Sequence, residues 1–565
     1  MYKSYFIYID KMFVSISFIM FSSVNIKDEA NLLSIVLHVK GSYIINMLRS
    51  LVILNCVFGL NASRILFVIP TPSISHQVPI RPLSQELARR GHDVVVITTD
   101  PIYPKGGAPA NFTEIDVHDV SYNIWRDLVL NAETASGSAD KAEYQITIFS
   151  DIIADVLEAQ METDEVKNLI NGNTHFDLIF TESLSKPALL FSHIFKVPVI
   201  QISTFPAIYN NLQVIGAESH PILYPETFSQ KTNNLTLWDK MREIYKIYRF
   251  HKIIDNAEEK QHAVVRKVLG EDAPTFEELA ENVHMLFLNA HPLWDSNRPV
   301  PPGVVYLGGI HKNPSKKLPE DLKAYLDSSK HGVIYISYGT NVSPSALPAE
   351  KIQMLARVFS RLPYDVLWKW DKDELPGKPK NVKISKWLPQ SDLLRHPKLK
   401  VFITQGGLQS TDEAIDAGVP LIGMPMLGDQ WFNVENYVKH GIGVRLDMDT
   451  LTEEKFQNAI EKVINDQSYR QNIIKLRDLI NDQPQSPLER AVWWTEHILR
   501  HGGGRHLRSP AANISWTQYY EVELITYLLA GLLLVLVIFA TVIIYTVRFV
   551  SQIINSNSKL KSKEL

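Results

Sequence analysis

Cysteine is almost absent from this chain: one residue in 565, Cys56. It falls in an N-terminal apolar stretch that reads as a cleaved leader, so the mature chain is expected to hold no thiol. Structural disulfides, cysteine-ligated zinc and a catalytic cysteine are thereby excluded. Charge of either sign is not in excess. With 57 Lys and Arg against 61 Asp and Glu the net charge is −4, so a nucleic-acid partner is not indicated. Long uncharged apolar runs are scarce too, and one stands out: Leu524 to Val547. It is long enough to cross a bilayer as a helix. Core material is plentiful, at 45% hydrophobic residues, and the length suits roughly two to four domains of ~150 residues.

The ends carry targeting signals. Residues 47–62, from Met47 to Ala62, have a basic residue, an apolar centre and a small residue at the cut, the pattern of a signal peptide. Residues 1–46 lie upstream and are expected to be an extension absent from the functional protein. Glu521 and Glu523 precede the apolar run, while Arg548, Lys559, Lys561 and Lys563 follow it. By the positive-inside rule the tail, 548–565, is cytoplasmic and the bulk of the chain lumenal. Lys561 and Lys563 resemble a dilysine signal for retrieval to the endoplasmic reticulum; a solvated basic tail is the plainer reading. Asn111, Asn234 and Asn513 open glycosylation sequons on the expected lumenal side.

Between these ends, short apolar strands alternate with helical patterns, the signature of parallel α/β sheets. Strands are expected at Arg64–Ile69, Asp93–Thr98, Phe176–Phe180 and Val197–Ile202, with helices over about Pro79–Arg90 and Lys186–Phe195. A loop rich in proline and glycine, Asn297 to Gly309, reads as a domain boundary. A second α/β set begins at Val333–Ser337 and continues through Val366–Trp370, Val382–Ile384 and a helix over Gln430–Lys439. In parallel sheets ligands bind beyond the C-terminal strand ends. Ser75-His76, Thr181-Glu182, Ser337 to Thr340 and Gln405 to Gly407 all lie at such ends, which predicts that they share one cleft.

The segment Val401 to Gln430 is the most specific. A buried strand breaks at Gly406-Gly407 and resumes as a helix over Ser410–Ala417; a strand Pro420–Met424 follows, and the segment closes on Asp429-Gln430. A glycine turn at a helix N-terminus presents free backbone N–H groups and the positive end of the helix dipole to a phosphate. Glycines alone are equally compatible with a purely structural turn. The spacing of Gln405, Ser410, Glu413, Pro420, Pro425, Asp429 and Gln430 resembles the signature of the UDP-glycosyltransferases, the family that includes the UDP-glucuronosyltransferases, and most closely its insect members.

That resemblance implies a GT-B fold, two facing Rossmann-like domains with parallel sheets. Residues 63–300 would bind the acceptor, 301–330 link the halves and 331–500 bind the UDP-sugar. Residues 501–523 would form a lumenal stalk to the transmembrane helix 524–547. His76 matches the family's catalytic base, and imidazole titrates near neutrality. Glu182 stands where the family has an aspartate that orients the base, longer here by one methylene. Trp387 would stack on uracil, with Gln390 beside it. Ser337, Thr340 and the backbone of Gly406, Gly407, Gln409 and Ser410 would hold the diphosphate, Glu413 the ribose, and Asp429 and Gln430 the sugar hydroxyls. Gln405 replaces the histidine of vertebrate and plant members and is familiar in insect ones. A neutral amide carries no positive charge, so the leaving group would rely more on backbone dipoles.

The expected activity is inverting transfer of a hexose, glucose or glucuronic acid, from a UDP-sugar to hydroxyls of small lipophilic acceptors. The competing class is a membrane-anchored, non-catalytic binding protein for such ligands; a base histidine with an acid at 182 argues against it. No cofactor or metal is expected. Asp371-Lys372-Asp373 and Asp447-Met448-Asp449 imitate a metal-binding Asp-x-Asp motif, but read as turns and caps. A homo-oligomer is compatible with the sequence. Finally, Trp238 to Ile254 interleaves aromatics with bases. It reads either as a packing helix or as a basic amphipathic helix resting on a membrane.

Overall fold

In the computed structural model, residues 62–128, 137–138, 141–217, 219–312 and 314–561 are described. The expected leader with Cys56, the extension before it and Lys563 of the tail lie outside these residues. Ser63–Leu565 form one unit.

Runs of Val, Ile, Leu and Phe bounded by polar or glycine breaks become strands buried on both faces, as parallel sheets require. The first sheet holds β1 (Arg64–Ile69), β2 (Asp93–Thr98), β3 (Phe112–Asp116), β4 (Leu178–Glu182), β5 (Val199–Ser203), β6 (Val283–Leu288) and β7 (Val304–Tyr306). Their order is β3-β2-β1-β4-β5-β6-β7, all parallel. The second sheet holds β8 (Val333–Ser337), β9 (Asp365–Lys369), β10 (Val382–Ser385), β11 (Leu399–Thr404), β12 (Leu421–Gly423) and β13 (Gly443–Arg445). Its order is β10-β9-β8-β11-β12-β13, again parallel.

The chain reverses direction of growth between β1 and β4 in one sheet, and between β8 and β11 in the other. These are the switch points where α/β proteins place ligands. An aromatic pair sits across each: Phe67 opposes Phe180 with centroids 4.4 Å apart, and Tyr335 opposes Phe402 at 4.7 Å. Each stacked pair adds about 0.5–1.5 kcal/mol beyond its burial and stiffens the strands that carry the site.

Two stretches join the first half although the sequence does not suggest it. Val304–Tyr306, inside the proline- and glycine-rich stretch read as linker, pairs with β6 as the seventh strand. Helix Pro487–His501 returns to the first sheet, where Ala491, Val492 and Ile498 enter the core beside Leu83 and Leu87. Glu496 ion-pairs with Arg90 at 3.1 Å. The helix begins at a Ser486–Glu489 capping box with Pro487 in its first turn, a strong local start signal that carries no information about which sheet it covers.

The apolar C-terminal run lies within helix Val522–Lys561, whose most apolar 18 residues have mean hydropathy 2.9 and are not buried against the protein. It is long enough to span a bilayer. Of the sequons, Asn111 donates its side-chain amide to the carbonyls of Ala88 and His92 at 2.7 and 2.9 Å. It has a structural role in closing β2 and β3.

Candidate active site

The C-terminal strand ends of the two sheets face across one cavity of about 460 Å³, within the usual range for a small-molecule site. His76, Thr204 and Phe205 line it from the first half; Trp387, Gln405 and Asp429 do so from the second.

His76 lies on a single helical turn, Ile74–Gln77, after β1. Its Nδ1 meets Glu182 Oε1 and lies 3.2 Å from Thr204 Oγ1. The edge of Phe205 packs on the ring at 5.9 Å. Glu182 ends β4 and is 1% exposed. Its second oxygen accepts the Thr71 N–H at 3.2 Å, so a buried carboxylate is satisfied by two donors, as burial demands. With Nδ1–H given to the carboxylate, Nε2 is left unprotonated and able to accept a proton.

On the opposite wall, Gly406 turns β11 into helix Leu408–Ala417. Its φ is +93°, and a Cβ there would lie 2.6 Å from Val434 Cγ2, so no other residue fits without displacement. The helix starts at Gly407 with no side-chain cap, which leaves its first amides to the cavity lined by Gly407, Leu408, Gln409 and Ser410. Gln390 donates to Ser410 Oγ at 2.9 Å and to Glu413 Oε2 at 2.7 Å, and accepts from the Tyr335 hydroxyl at 2.9 Å. Burial raises the Glu413 carboxyl above its ordinary range.

Trp387 is 69% exposed, unusual for tryptophan, and lines the cavity. Lys369 Nζ lies 4.9 Å from its ring centroid and donates to the Gly339 carbonyl at 2.7 Å; burial lowers the lysine. Gln405 is buried with Oε1 lacking a hydrogen-bond partner, and its Nε2 fills the space where a Cβ on Gly339 would sit. Thr340 lines the cavity as expected. Ser337 and Gly406 are not among the residues at the cavity wall. Ser337 Oγ accepts the Gly339 N–H at 3.2 Å, and the Gly406 carbonyl accepts from Asn433 at 2.9 Å.

Asp429 is pushed up to about 6 by burial, opposed by a hydrogen bond from Asn433 Nδ2 at 2.7 Å. Gln430 accepts the amides of Met426 and Leu427 at 2.8 and 3.0 Å and so shapes the loop that presents Asp429. The halves are pinned beside these groups. Gln409 donates to the Ser75 carbonyl at 2.9 Å, Asn341 to Ser73 Oγ at 3.1 Å, and Gln145 to the Met426 carbonyl at 3.1 Å.

The two Asp-x-Asp imitations are engaged elsewhere. Asp371 accepts from Ser345 N–H and Oγ, Asp373 pairs with Lys386 at 2.7 Å and Asp447 with Arg445 at 2.8 Å. Among the described residues no group of three His, Cys, Asp or Glu side chains is arranged to hold a metal ion. Sequence reasoning missed Thr204, Lys369, Asn433 and Gln145. Thr204 and Lys369 follow or end strands β5 and β9, so the strand-end rule contains a signal for them. Asn433 and Gln145 sit on helices with none.

Two parallel sheets facing across one cavity, with a bare helix N-terminus on one wall and a histidine–carboxylate pair on the other, define a GT-B glycosyltransferase. The calicheamicin glycosyltransferase CalG4 shares this fold, with TM-score 0.52 over 78% of this chain and 99% of that one, at 19% identity. The model of the family described as "UDP-glucoronosyl and UDP-glucosyl transferase" matches residues 64–557, and the chain belongs to that family. It is similar to an ecdysteroid UDP-glucosyltransferase of Spodoptera littoralis nuclear polyhedrosis virus, 37% identical over 82% of this chain and 93% of that protein. It is also similar to UDP-glycosyltransferase UGT5 of Dactylopius coccus, 32% identical over 87% and 94%. The protein is a UDP-glycosyltransferase.

Proposed function

We propose that this enzyme transfers glucose from UDP-glucose, with inversion, to a hydroxyl of a small lipophilic acceptor. His76 Nε2 takes the acceptor proton as its oxygen attacks the anomeric carbon, and Glu182 stabilises the imidazolium that forms. The C1–O bond to the diphosphate breaks on the opposite face, and the negative charge of UDP is met by the amides at the start of helix Leu408–Ala417, with Thr340 and Gln405 beside them. Trp387 stacks on uracil, and Glu413, held by Gln390, binds the ribose. Asp429 and Gln430 hold the sugar hydroxyls. No metal ion takes part in this scheme. The first half shapes the acceptor pocket and the second the donor pocket.

The observation that carries this reading is the Glu182–His76 pair standing across one cavity from an uncapped helix N-terminus. The choice of a neutral hexose rests on charge. Among the described residues at the cavity wall, the lysines are Lys186, paired with Glu258 at 2.9 Å, and Lys369, at the Trp387 end. The sugar end presents the carboxyl of Asp429, which would repel a glucuronate. The similar viral protein is named as a UDP-glucosyltransferase, which supports the same reading. The helix Val522–Lys561 anchors the enzyme in the endoplasmic reticulum membrane as a single span, with the catalytic halves lumenal and the lysine-bearing tail cytoplasmic.

Membranes bearing the full chain, given UDP-glucose or UDP-glucuronate and a phenol, test the reading. The β-glucoside is expected from UDP-glucose, with little glucuronide, and His76→Ala should abolish it. Undiminished transfer by that variant, or retention of the α-configuration, would overturn the mechanism; preferred use of UDP-glucuronate would overturn the donor assignment.

A further inference from the structure

Helix Gln430–Lys439 is buried over most of its length, and its buried residues include the polar Asn433, Glu435 and Asn436. Burying such groups is costly unless each is hydrogen-bonded. Several of the partners come from the first half of the chain. Glu435 accepts the Thr232 and Asn233 N–H groups at 3.0 and 3.2 Å, and Asn436 donates to the Trp294 carbonyl at 3.2 Å.

Asn433 is the most completely engaged of the three. Its Oδ1 accepts the Trp294 Nε1–H at 2.9 Å. Its Nδ2 donates to the Gly406 carbonyl at 2.9 Å and to Asp429 Oδ2 at 2.7 Å. An indole N–H can only donate and a carbonyl can only accept, so these neighbours fix which way the amide points, and both of its hydrogens are used. Trp294 is in turn anchored to the first half. Its ring is buried and stacks on His440 with centroids 5.8 Å apart. The next residue, Asp295, is buried, pairs with Arg298 at 3.2 Å and accepts the Tyr306 hydroxyl of β7 at 2.8 Å.

The two groups that receive the Asn433 hydrogens flank the reaction. Gly406 turns the chain into the helix whose first amides face the cavity, and Asp429 stands at the cavity wall. In the proposed function the first site takes the diphosphate and the second the sugar, so the C1–O bond that breaks lies between them. Asn433 is not among the described residues at the cavity wall and acts through these neighbours. The span is short because the turn packs directly on the helix: a Cβ at Gly406 would lie 2.6 Å from Val434 Cγ2 and 3.1 Å from the Gln430 carbonyl.

We propose that Asn433 is a positioning residue that sets the spacing between the diphosphate-binding turn and the sugar-binding carboxyl, and that Trp294 of the first half holds Asn433 in the orientation this requires. The reacting carbon is thus kept in line with its leaving group by a chain of bonds that runs back to the half carrying His76. The inference rests on the roles given to Gly406 and Asp429 in the proposed function.

Membranes bearing the full chain are assayed with whichever UDP-sugar the parent uses and a phenol; the parent and His76→Ala test the proposed function separately. Asn433→Ala should lower kcat by about 10- to 100-fold, the scale of a misplacement near 1 Å, and raise KM for the UDP-sugar. UDP alone should lose far less affinity, since it needs the turn but not its distance from Asp429. Asn433→Asp keeps the volume but loses both donors and sets a second carboxylate beside Asp429, so it should be no better than Asn433→Ala. Trp294→Phe keeps an aromatic ring and removes only the N–H donor and part of the ring. It should also lower kcat, and add little when combined with Asn433→Ala. A transferring parent matched in kcat by folded Asn433→Ala would overturn the positioning role alone. So would an Asn433→Asp enzyme more active than Asn433→Ala, which would reduce the residue to a space filler, or fully additive losses from Trp294→Phe and Asn433→Ala. If Asn433→Ala melts below the assay temperature, Trp294→Phe decides, and parental kcat and KM in that variant would overturn the proposal.

Discussion

Glu182→Gln tests the proposed catalytic pair most severely, because the change keeps size and burial while altering one atom. Glu182 offers two acceptor oxygens, one to His76 Nδ1–H and one to the Thr71 N–H. Glutamine has a single acceptor. If its oxygen stays with Thr71, the side-chain NH2 faces Nδ1 and forces the proton onto Nε2, where it blocks the base. If the amide flips, NH2 meets the Thr71 N–H and a buried donor is stranded, at a cost of about 1–3 kcal/mol. Either way the competent tautomer is disfavoured, and the carboxylate that stabilises the imidazolium is gone, worth a further ~1.5–3 kcal/mol. Together these give a loss of about 10²–10⁴ in kcat, at ~1.4 kcal/mol per tenfold. Glu182 does not reach the cavity wall, so KM for the UDP-sugar should hold. Initial rates at saturating donor and acceptor, with UDP titration and a melting curve as controls, measure this. A variant with kcat within about threefold of the parent, folded and binding UDP normally, would refute the reasoning.

Other substitutions probe the donor wall. Trp387→Ala should weaken UDP binding by about 1–3 kcal/mol in calorimetry, the usual worth of a base–aromatic stack, with Tm unchanged because the ring is already exposed; unchanged affinity would remove it from the nucleoside site. Gly339→Ala should displace the Gln405 amide and raise donor KM, and in a double-mutant cycle with Gln405→Ala the two effects should be less than additive. Asp429 sits near 6 because burial disfavours its charge, so its protonated form is the one folding favours. That contribution is present below the unfolded carboxylate range and lost as pH rises through about 6. Asp429→Asn should therefore raise Tm at pH 7 more than at pH 4, while increasing KM for the donor sugar; a lower Tm at pH 7 would show that the buried charge is better compensated than its surroundings imply.

Strands such as Arg64–Ile69, Asp93–Thr98 and Val333–Ser337 were legible to the residue because both their faces are buried, so apolar character is continuous and ends sharply at polar residues. The second strand of the switch point was less so. Phe176 reads as its start, yet pairing begins at Leu178 and runs through Glu182, since burial of Phe176 does not require a place in the ladder. β7 escaped because three residues among prolines and glycines show no period. Placement of the site was readable from strand ends, which hold His76, Glu182 and Gln405. The return of helix Pro487–His501 to the first sheet was not, because contacts 406 residues apart, as between Arg90 and Glu496, leave no local trace. The basic aromatic helix was readable as amphipathic, but only the structure decides which face meets the protein.

In the proposed donor site, Gln405 would change where the charge of the leaving diphosphate is met. A histidine there could carry a full positive charge over the phosphates; an amide supplies one donor dipole. Gln405 is held by contact with Gly339, and the carbonyl of that glycine is tied to Lys369, whose ammonium also lies over Trp387. The lysine is partly desolvated, which strengthens its field at short range. One cation therefore braces both the ring proposed to receive the base and the loop proposed to receive the phosphates. Replacing Lys369 by methionine should loosen both at once, raising KM for the donor and lowering UDP affinity together, while arginine, which keeps the charge, should restore much of each. Were Trp387 and the 337–340 loop independent, the methionine variant would alter one and spare the other, and the charge missing at position 405 would have to be met by the helix amides alone.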